Sequence, residues 1–247
     1  MKQFQAQRFA KDNLVVSVVG DLTADVLGKL LDSVFGSLPE AASPWKLPDT
    51  IPTAGNRTSV IDKPIPQSVI RFGQAGIKRN DPEFFAAYIM NYVLGGGGFE
   101  SRLYREIREK RGLAYSVYTY LSPYRHTGLS MGGSATANAR AAETIKILKN
   151  EWRRMADQGL TQSELDDAKT YLTGSYPLRF SSSRQIAAMM TGMQLERLGI
   201  DYIDQRNSFL NSVTLDDVNQ VAKKILDADS LTIVVVGQPD GVQAEGQ

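Results

Sequence analysis

The pattern of this 247-residue chain predicts an α+β fold, an antiparallel-rich β-sheet with helices packed on one face. Three observations lead there. Short runs rich in β-formers or nearly all apolar recur along the chain and are bounded by Gly, Pro or Asp. Between them lie longer stretches with apolar residues at helical spacing and capping residues in front. Two of the runs, Leu113–Leu121 and Thr127–Ala137, are separated only by Ser122–His126 and pair naturally as neighbouring strands.

In chain order, Leu14–Asp21 is a short apolar run ended by Gly-Asp and reads as a buried strand. Thr23 or Asp21 caps a helix carrying Val26, Leu27, Leu30, Leu31 and Val34 on one face. Leu38–Gly55 holds Pro39, Pro44, Pro48 and Pro52 and reads as a linker, the clearest boundary in the chain. Thr58–Asp62 and Gln67–Gln74 follow as strands. Asp81-Pro82 opens a helix, with Asp as cap and Pro at the first helical position, that runs into four glycines. After the two paired strands, Asn138 caps a long helix to about Gln158, which Gly159 stops. Thr161-Gln162-Ser163-Glu164 is a capping box. A helix with Ile186, Ala187, Met190, Met193, Leu195 and Leu198 follows the break at Tyr176-Pro177, and Thr214 caps another with Val218, Val221, Ala222 and Ile225. Ser230–Gly237 is a final buried strand, and the tail from Pro239 onward is expected to fray.

Composition narrows the function classes. Net charge is +1, so no overall basic field argues for nucleic acid. No apolar run is long enough to cross a membrane as a helix. Cysteine is absent, which removes disulfides, thiol nucleophiles and cysteine metal sites. The polar N-terminus, Lys2 to Arg8, has no signal-peptide pattern. The chain starts abruptly, so a leader can belong to a missing piece, and the bacterial periplasm and the cytoplasm both stay open.

The stretch from Gly95 to Val117 organises the rest. Gly95, Gly96, Gly97 and Gly98 form a flexible turn, used where a chain bends tightly or approaches a ligand closely. A short basic helix follows, opened by Glu100 or Ser101, with Leu103, Tyr104 and Ile107 on one face. Arg108 falls at the edge of that face, while Arg102 and Arg105 point elsewhere. Gly112 suits the left-handed position that ends a helix. Arg108 and Tyr115, seven residues apart, are then placed to converge on one ligand. A guanidinium and a phenol both donate hydrogen bonds and suit a peptide carbonyl or a developing oxyanion. Spacing alone fits better a basic helix face in water beside a half-buried strand tyrosine.

This run, a Gly-rich turn, then Ser101-Arg102-Leu103, then Arg108-Glu109-Lys110-Arg111-Gly112-Leu113-Ala114-Tyr115, resembles the second homologous half of the pitrilysin/insulinase family of zinc metallopeptidases, the mitochondrial processing peptidase type included. The likeness extends more loosely over residues 55–238. In that family the matching Arg and Tyr contact bound substrate, and the roles map onto Arg108 and Tyr115. The resemblance implies an insulinase-type half, non-catalytic and substrate-binding, that hydrolyses peptides only together with a zinc-bearing homologous half or subunit, as a homo- or heterodimer or within one longer chain. Asn13–Gly20 echoes Ser230–Gly237, each an apolar strand closed by Gly and a polar residue. Residues 1–38 therefore read as the tail of a preceding half, 39–56 as the linker, 57–238 as the second half and 239–247 as the tail. The alternative is a non-enzymatic assembly or core subunit of the same fold. A third reading is a stand-alone peptide-binding module.

The family's zinc sits on H-x-x-E-H. This chain has one histidine, His126, in a turn without a second His, so the resemblance implies no metal bound here and zinc in the partner half. The glycine run follows a helix and lacks Gly-Lys-Ser/Thr, which argues against a phosphate loop. Ser43-Pro-Trp-Lys46 matches S-x-x-K only by spacing. Arg102, Arg105, Arg108, Lys110 and Arg111 are interleaved with Glu100, Glu106 and Glu109, which suits a salt-bridged helix better than a nucleic-acid patch. Glu164, Asp166 and Asp167 open a helix and read as structural.

Overall fold

A computed structural model describes residues 1–53 and 55–244; Ala54 of the linker and residues 245–247 of the tail lie outside the described residues. Five strands, β1 (Arg57–Asp62), β2 (Gln67–Ala75), β3 (Ala114–Pro123), β4 (Gly128–Ala137) and β5 (Thr232–Gly237), form one sheet in the order β1-β5-β2-β4-β3. Only β1 and β5 run parallel; β5-β2, β2-β4 and β4-β3 are antiparallel. The α-helices in chain order are α1 (Lys2–Arg8), α2 (Ala24–Phe35), α3 (Phe84–Asn91), α4 (Arg102–Tyr104), α5 (Ala141–Gln158), α6 (Gln162–Gly174), α7 (Ser183–Leu195), α8 (Tyr202–Ser212) and α9 (Leu215–Ile225). No described helix is long and apolar enough to cross a membrane.

The chain divides into two compact units, one of residues 49–173 with 206–247, the other of residues 1–48 with 174–205. The larger unit holds the sheet and the core. Alternate residues of the strands, Ile70 and Phe72 on β2, Val117 on β3, Ile233 and Val235 on β5, are buried in one hydrophobic core with residues of α3, α5 and α9. Trp152 of α5 is fully buried, edge-on to Phe72 at 5.7 Å, and its indole N–H donates to Gln74 Oε1 at 3.2 Å. On α9, Val218, Val221 and Ala222 are shut from solvent, and each valine burial is worth about 1.5–3 kcal/mol. Local signals match the caps. Thr214 and Asp217 close a capping box in front of α9, as Thr161 and Glu164 do in front of α6.

The smaller unit holds few buried side chains. Ala10 and Tyr176 are its buried hydrophobic residues. Arg8 stacks over Trp45 at 4.0 Å and donates to Ser43 O, and Lys11 pairs with Glu40. The stripe on α2 is present and capped by Thr23, yet Val26, Leu30 and Val34 are each more than half exposed. Nothing on α7 is fully buried either; of the apolar face expected there, Ile186, Ala187 and Met193 are half-buried and Met190 and Leu195 are exposed.

Four further expectations are corrected. Leu14–Val19 is not a strand of the sheet; it pairs with no strand among the described residues, and Leu14, Val16 and Val18 face solvent. A strand needs a neighbour's N–H and C=O groups, and pattern alone does not supply them. Asp81-Pro82 forms a turn, with Asp81 Oδ1 accepting the Glu83 N–H, and α3 starts only at Phe84. Asn138 does not cap α5; its side chain accepts from Ser68 and donates to Ile65 O, tying the strand ends together. The tail does not fray at once, because Asp240 N–H donates to Asn138 O and Val242 packs against the core.

Candidate functional site

The glycine run continues α3 rather than leaving it. After Asn91 the backbone widens into a turn in which Gly97 N–H donates to Tyr92 O, five residues back. Gly95 and Gly96 lie inside this turn, pressed against β3. A Cβ on Gly95 would stand 2.6 Å from Thr119 Oγ1, one on Gly96 2.6 Å from Asn91 Nδ2, and one on Gly97 2.8 Å from Tyr92 O. Close packing excludes a side chain at these three. Gly98 alone has a left-handed backbone, φ +59°, with open space around it.

Ser101 then starts the basic helix, its hydroxyl donating to Gly98 O. The first turn, α4, has ordinary α geometry. From Arg105 to Glu109 the bonds lengthen again to five residues, with Lys110 N–H donating to Arg105 O. Gly112, at φ +59°, ends the helix with Gly112 N–H on Arg108 O and Leu113 N–H on Ile107 O. The Gly112 bond is that of a left-handed helix stop, and Ile107 and Leu113, which share the second bond, are both buried. Short helices with such wide turns are uncommon and concentrate at functional sites.

Next, β3 begins with a bulge. Ala114 pairs with Thr136 and Ser116 with Ala135, leaving Tyr115 as the extra residue. A bulge re-aims a side chain out of the pleat, and Tyr115 is 81% exposed. The two devices bring together what the sequence kept seven residues apart. The Arg108 guanidinium lies 4.5 Å from the centre of the Tyr115 ring, 4.8 Å from Tyr104 and 5.7 Å from Phe99. Phe99 and Tyr104 meet edge-on at 4.8 Å. Each cation–π contact of this kind is worth about 0.5–1 kcal/mol where exposed. Among the described residues, neither the Arg108 guanidinium nor the Tyr115 hydroxyl has a hydrogen-bond or ion-pair partner.

The other basic residues of the segment are engaged. Arg102 points away from Arg108 and is buried: its guanidinium forks onto Glu164, Nε to Oε1 at 2.7 Å and Nη2 to Oε2 at 2.6 Å, with a third bond to Gly159 O. Lys110 and Arg111 both grip Glu106, and the hydrogen bond from Lys110 holds that carboxyl below its ordinary pKa against the opposing effect of burial. Tyr92, at the foot of the glycine turn, stacks on Tyr171 at 5.4 Å; burial, with the Tyr171 and Glu100 charges near it, pushes its hydroxyl to about 12. Sequence reading missed Phe99 and Tyr104 as partners of Arg108 and Arg102 as the partner of Glu164. The i, i+4 spacing of Tyr104 and Arg108 was the available signal for the first; the second spans two distant segments and left none.

His126 Nδ1 lies 3.2 Å from Asp49 Oδ1, and Asp49 also pairs with Lys78. No group of three His, Cys, Asp or Glu residues among the described residues is arranged to hold a metal ion, so the side chains here do not fit a zinc centre. Beyond the site, Arg71 and Tyr118 bond across the sheet face away from the core, and Arg71 lines a hollow of about 250 Å³ with Met131 and Val234.

Comparison with known proteins adds the family. The profile of the Peptidase M16 inactive domain matches residues 1–172. A Streptomyces coelicolor protein named as an uncharacterized zinc protease is 30% identical over 236 residues, 92% of this chain and 50% of its own length. The non-peptidase homolog YmxG of Helicobacter pylori is 31% identical over 242 residues, 96% of this chain and 54% of its own. Among solved structures, a peptidase M16 inactive domain from Pseudomonas fluorescens superposes with a TM-score of 0.82 at 31% identity, covering 100% of this chain and 58% of that one. A chain of complex III2 from Candida albicans shares the fold, with a TM-score of 0.70 at 14% identity over 89% of this chain and 54% of that one. The chain spans about half the length of the curated relatives it matches.

Proposed function

The chain belongs to the peptidase M16 inactive-domain family, and from that premise we propose that it is the substrate-holding half of a zinc metallopeptidase, active on peptides only with a homologous half that carries the zinc. The observation that carries this reading is the convergence of Arg108 and Tyr115 with their donors unengaged. In the proposed mechanism the Tyr115 hydroxyl donates to the scissile carbonyl oxygen as charge develops on it. Arg108, steadied by rings on its faces, holds a neighbouring peptide carbonyl. Zinc would be held by the partner half and would supply the activated water there, while Arg108 and Tyr115 bind and orient the peptide.

The domain arrangement is part of the same proposal. Residues 1–38 are the closing segment of the preceding half, 39–56 the linker, 57–238 the second half and 239–247 its tail. The exposed faces of Leu14–Val18 and α2 support this, because a preceding half would cover them. In β5, the counterpart of Leu14–Val19, both edges are paired. The open sheet face around Arg71 and Tyr118 would line a chamber shared with the partner.

The decisive experiment mixes the chain with a homologous chain bearing H-x-x-E-H and follows cleavage of an unstructured peptide. Tyr115→Phe is expected to slow turnover by roughly a hundredfold or more, the worth of one oxyanion donor. Unchanged turnover removes the role. No cleavage by any such mixture favours an assembly subunit, the reading to which the complex III2 likeness and the non-peptidase relative lend weight.

A further inference from the structure

We infer that Glu164 is a positioning residue for Arg108, fixing the helix that presents it; the inference rests on the reading of Arg108 and Tyr115 as the peptide contact. The Glu164 side chain is 19% exposed and its carboxylate is fully engaged. Thr161 donates to Oε2 from both its N–H and its hydroxyl, at 2.9 and 3.1 Å. Arg102 forks onto both oxygens, and Arg105 Nη2 lies 3.8 Å from Oε1. Arg102 belongs to the α turn and Arg105 opens the wide turn, so one carboxylate grips the helix on both sides of the place where its bonding changes from four to five residues.

That place sets the direction of Arg108. A five-residue turn rotates each following side chain less than an α turn does, so moving or erasing the junction swings Arg108 around the helix axis, away from the Tyr115 ring. The far end cannot move to compensate, because the left-handed stop at Gly112 bonds back to Arg108, and Ile107 and Leu113, bonded to each other, are buried in the core. The buried Arg102 cannot swing to another partner without leaving its charge unpaired. Glu164 never touches the proposed peptide site; its effect passes through the helix.

The test follows the Nε–H resonance of Arg108 by NMR in the full 247-residue chain, assigned by its disappearance in Arg108→Lys. In the native chain the rings of Tyr104 and Tyr115 displace it from the position of a solvated arginine. Glu164→Gln is expected to return it toward that position and to weaken binding of a fluorescein-labelled unstructured peptide roughly tenfold. In an Arg108→Ala background the same change is expected to cost nothing further. An unmoved resonance, or an affinity loss that persists in full without Arg108, overturns the proposal. Arg105→Ala, whose side chain is 44% exposed, removes the weaker contact without stranding a buried charge. It keeps the test decisive if Glu164→Gln fails to fold: a smaller shift in the same direction supports the proposal and none overturns it. If Arg108→Ala alone leaves peptide affinity intact, the peptide reading fails, while the resonance still decides the positioning.

Discussion

Thr119 occupies the space that a side chain on Gly95 would need: its Oγ1 stands 2.6 Å, and its Cγ2 2.8 Å, from the position of a Cβ there. The glycine turn and β3 are thus locked face to face. Gly95→Ala should cost about 1–3 kcal/mol, as overpacking a tight contact does. Gly98→Ala meets no atom and should cost less, about 1–2 kcal/mol, from its left-handed backbone alone. Urea unfolding of the two variants measures the difference, and an order reversed from this one would contradict the packing account.

Tyr115→Phe should leave stability unchanged within about 0.5 kcal/mol, because the hydroxyl has no partner and the ring is exposed. Its effect on turnover is then chemical. A melting temperature that falls with activity would mean that the hydroxyl holds the fold together.

Arg108→Lys keeps the charge and loses the flat fork that lies against the rings. The change should lower peptide affinity by about 0.5–2 kcal/mol, since an ammonium stacks less well and cannot hold two acceptors side by side. Fluorescence anisotropy with a labelled peptide reads this directly, and equal affinity for the lysine variant would show that charge alone suffices.

Acid should unfold the chain partly through Glu164. Burial raises the pKa of that carboxyl, but the bonds from Arg102 and Thr161 outweigh it and bring the group from 4.5 down to about 2. Its folded value lies below its unfolded one, so its stabilisation is whole above about pH 4.5 and disappears as the pH falls toward 2. Denaturant unfolding across this window should show a shallower loss of stability for Glu164→Gln than for the native chain. Parallel curves would refute the assignment.

Much of this was readable from residues alone, for reasons that differ by element. The caps at Thr23, Thr161 and Thr214 and the stop at Gly112 depend on bonds within a few residues, so local sequence determines them. Arg108 and Tyr115 flank such a stop, but their spacing alone favoured a solvated arginine, and the family resemblance carried the expectation that they face one ligand. Arg102 could not be placed, because its burial depends on a carboxylate brought up by another helix. Leu14–Val19 has a strand's pattern without a strand's neighbours. Asn138 looked like a cap and instead ties strand ends whose proximity only the tertiary fold creates. The lengthened turns at Tyr92 and Arg105 leave no mark in residue spacing at all.

The strand order has a consequence for how this chain is made. β1 has one neighbour in the sheet, and that neighbour is β5. During synthesis β1 leaves the ribosome early and then waits, its amides bonded to water, until Thr232–Gly237 arrives to fill the slot beside β2. Pairing so distant in sequence is slow to nucleate. A nascent chain stalled before Thr232 would hold β2, β3 and β4 as a partial sheet with a bare edge, the form on which a chaperone or a protease acts first.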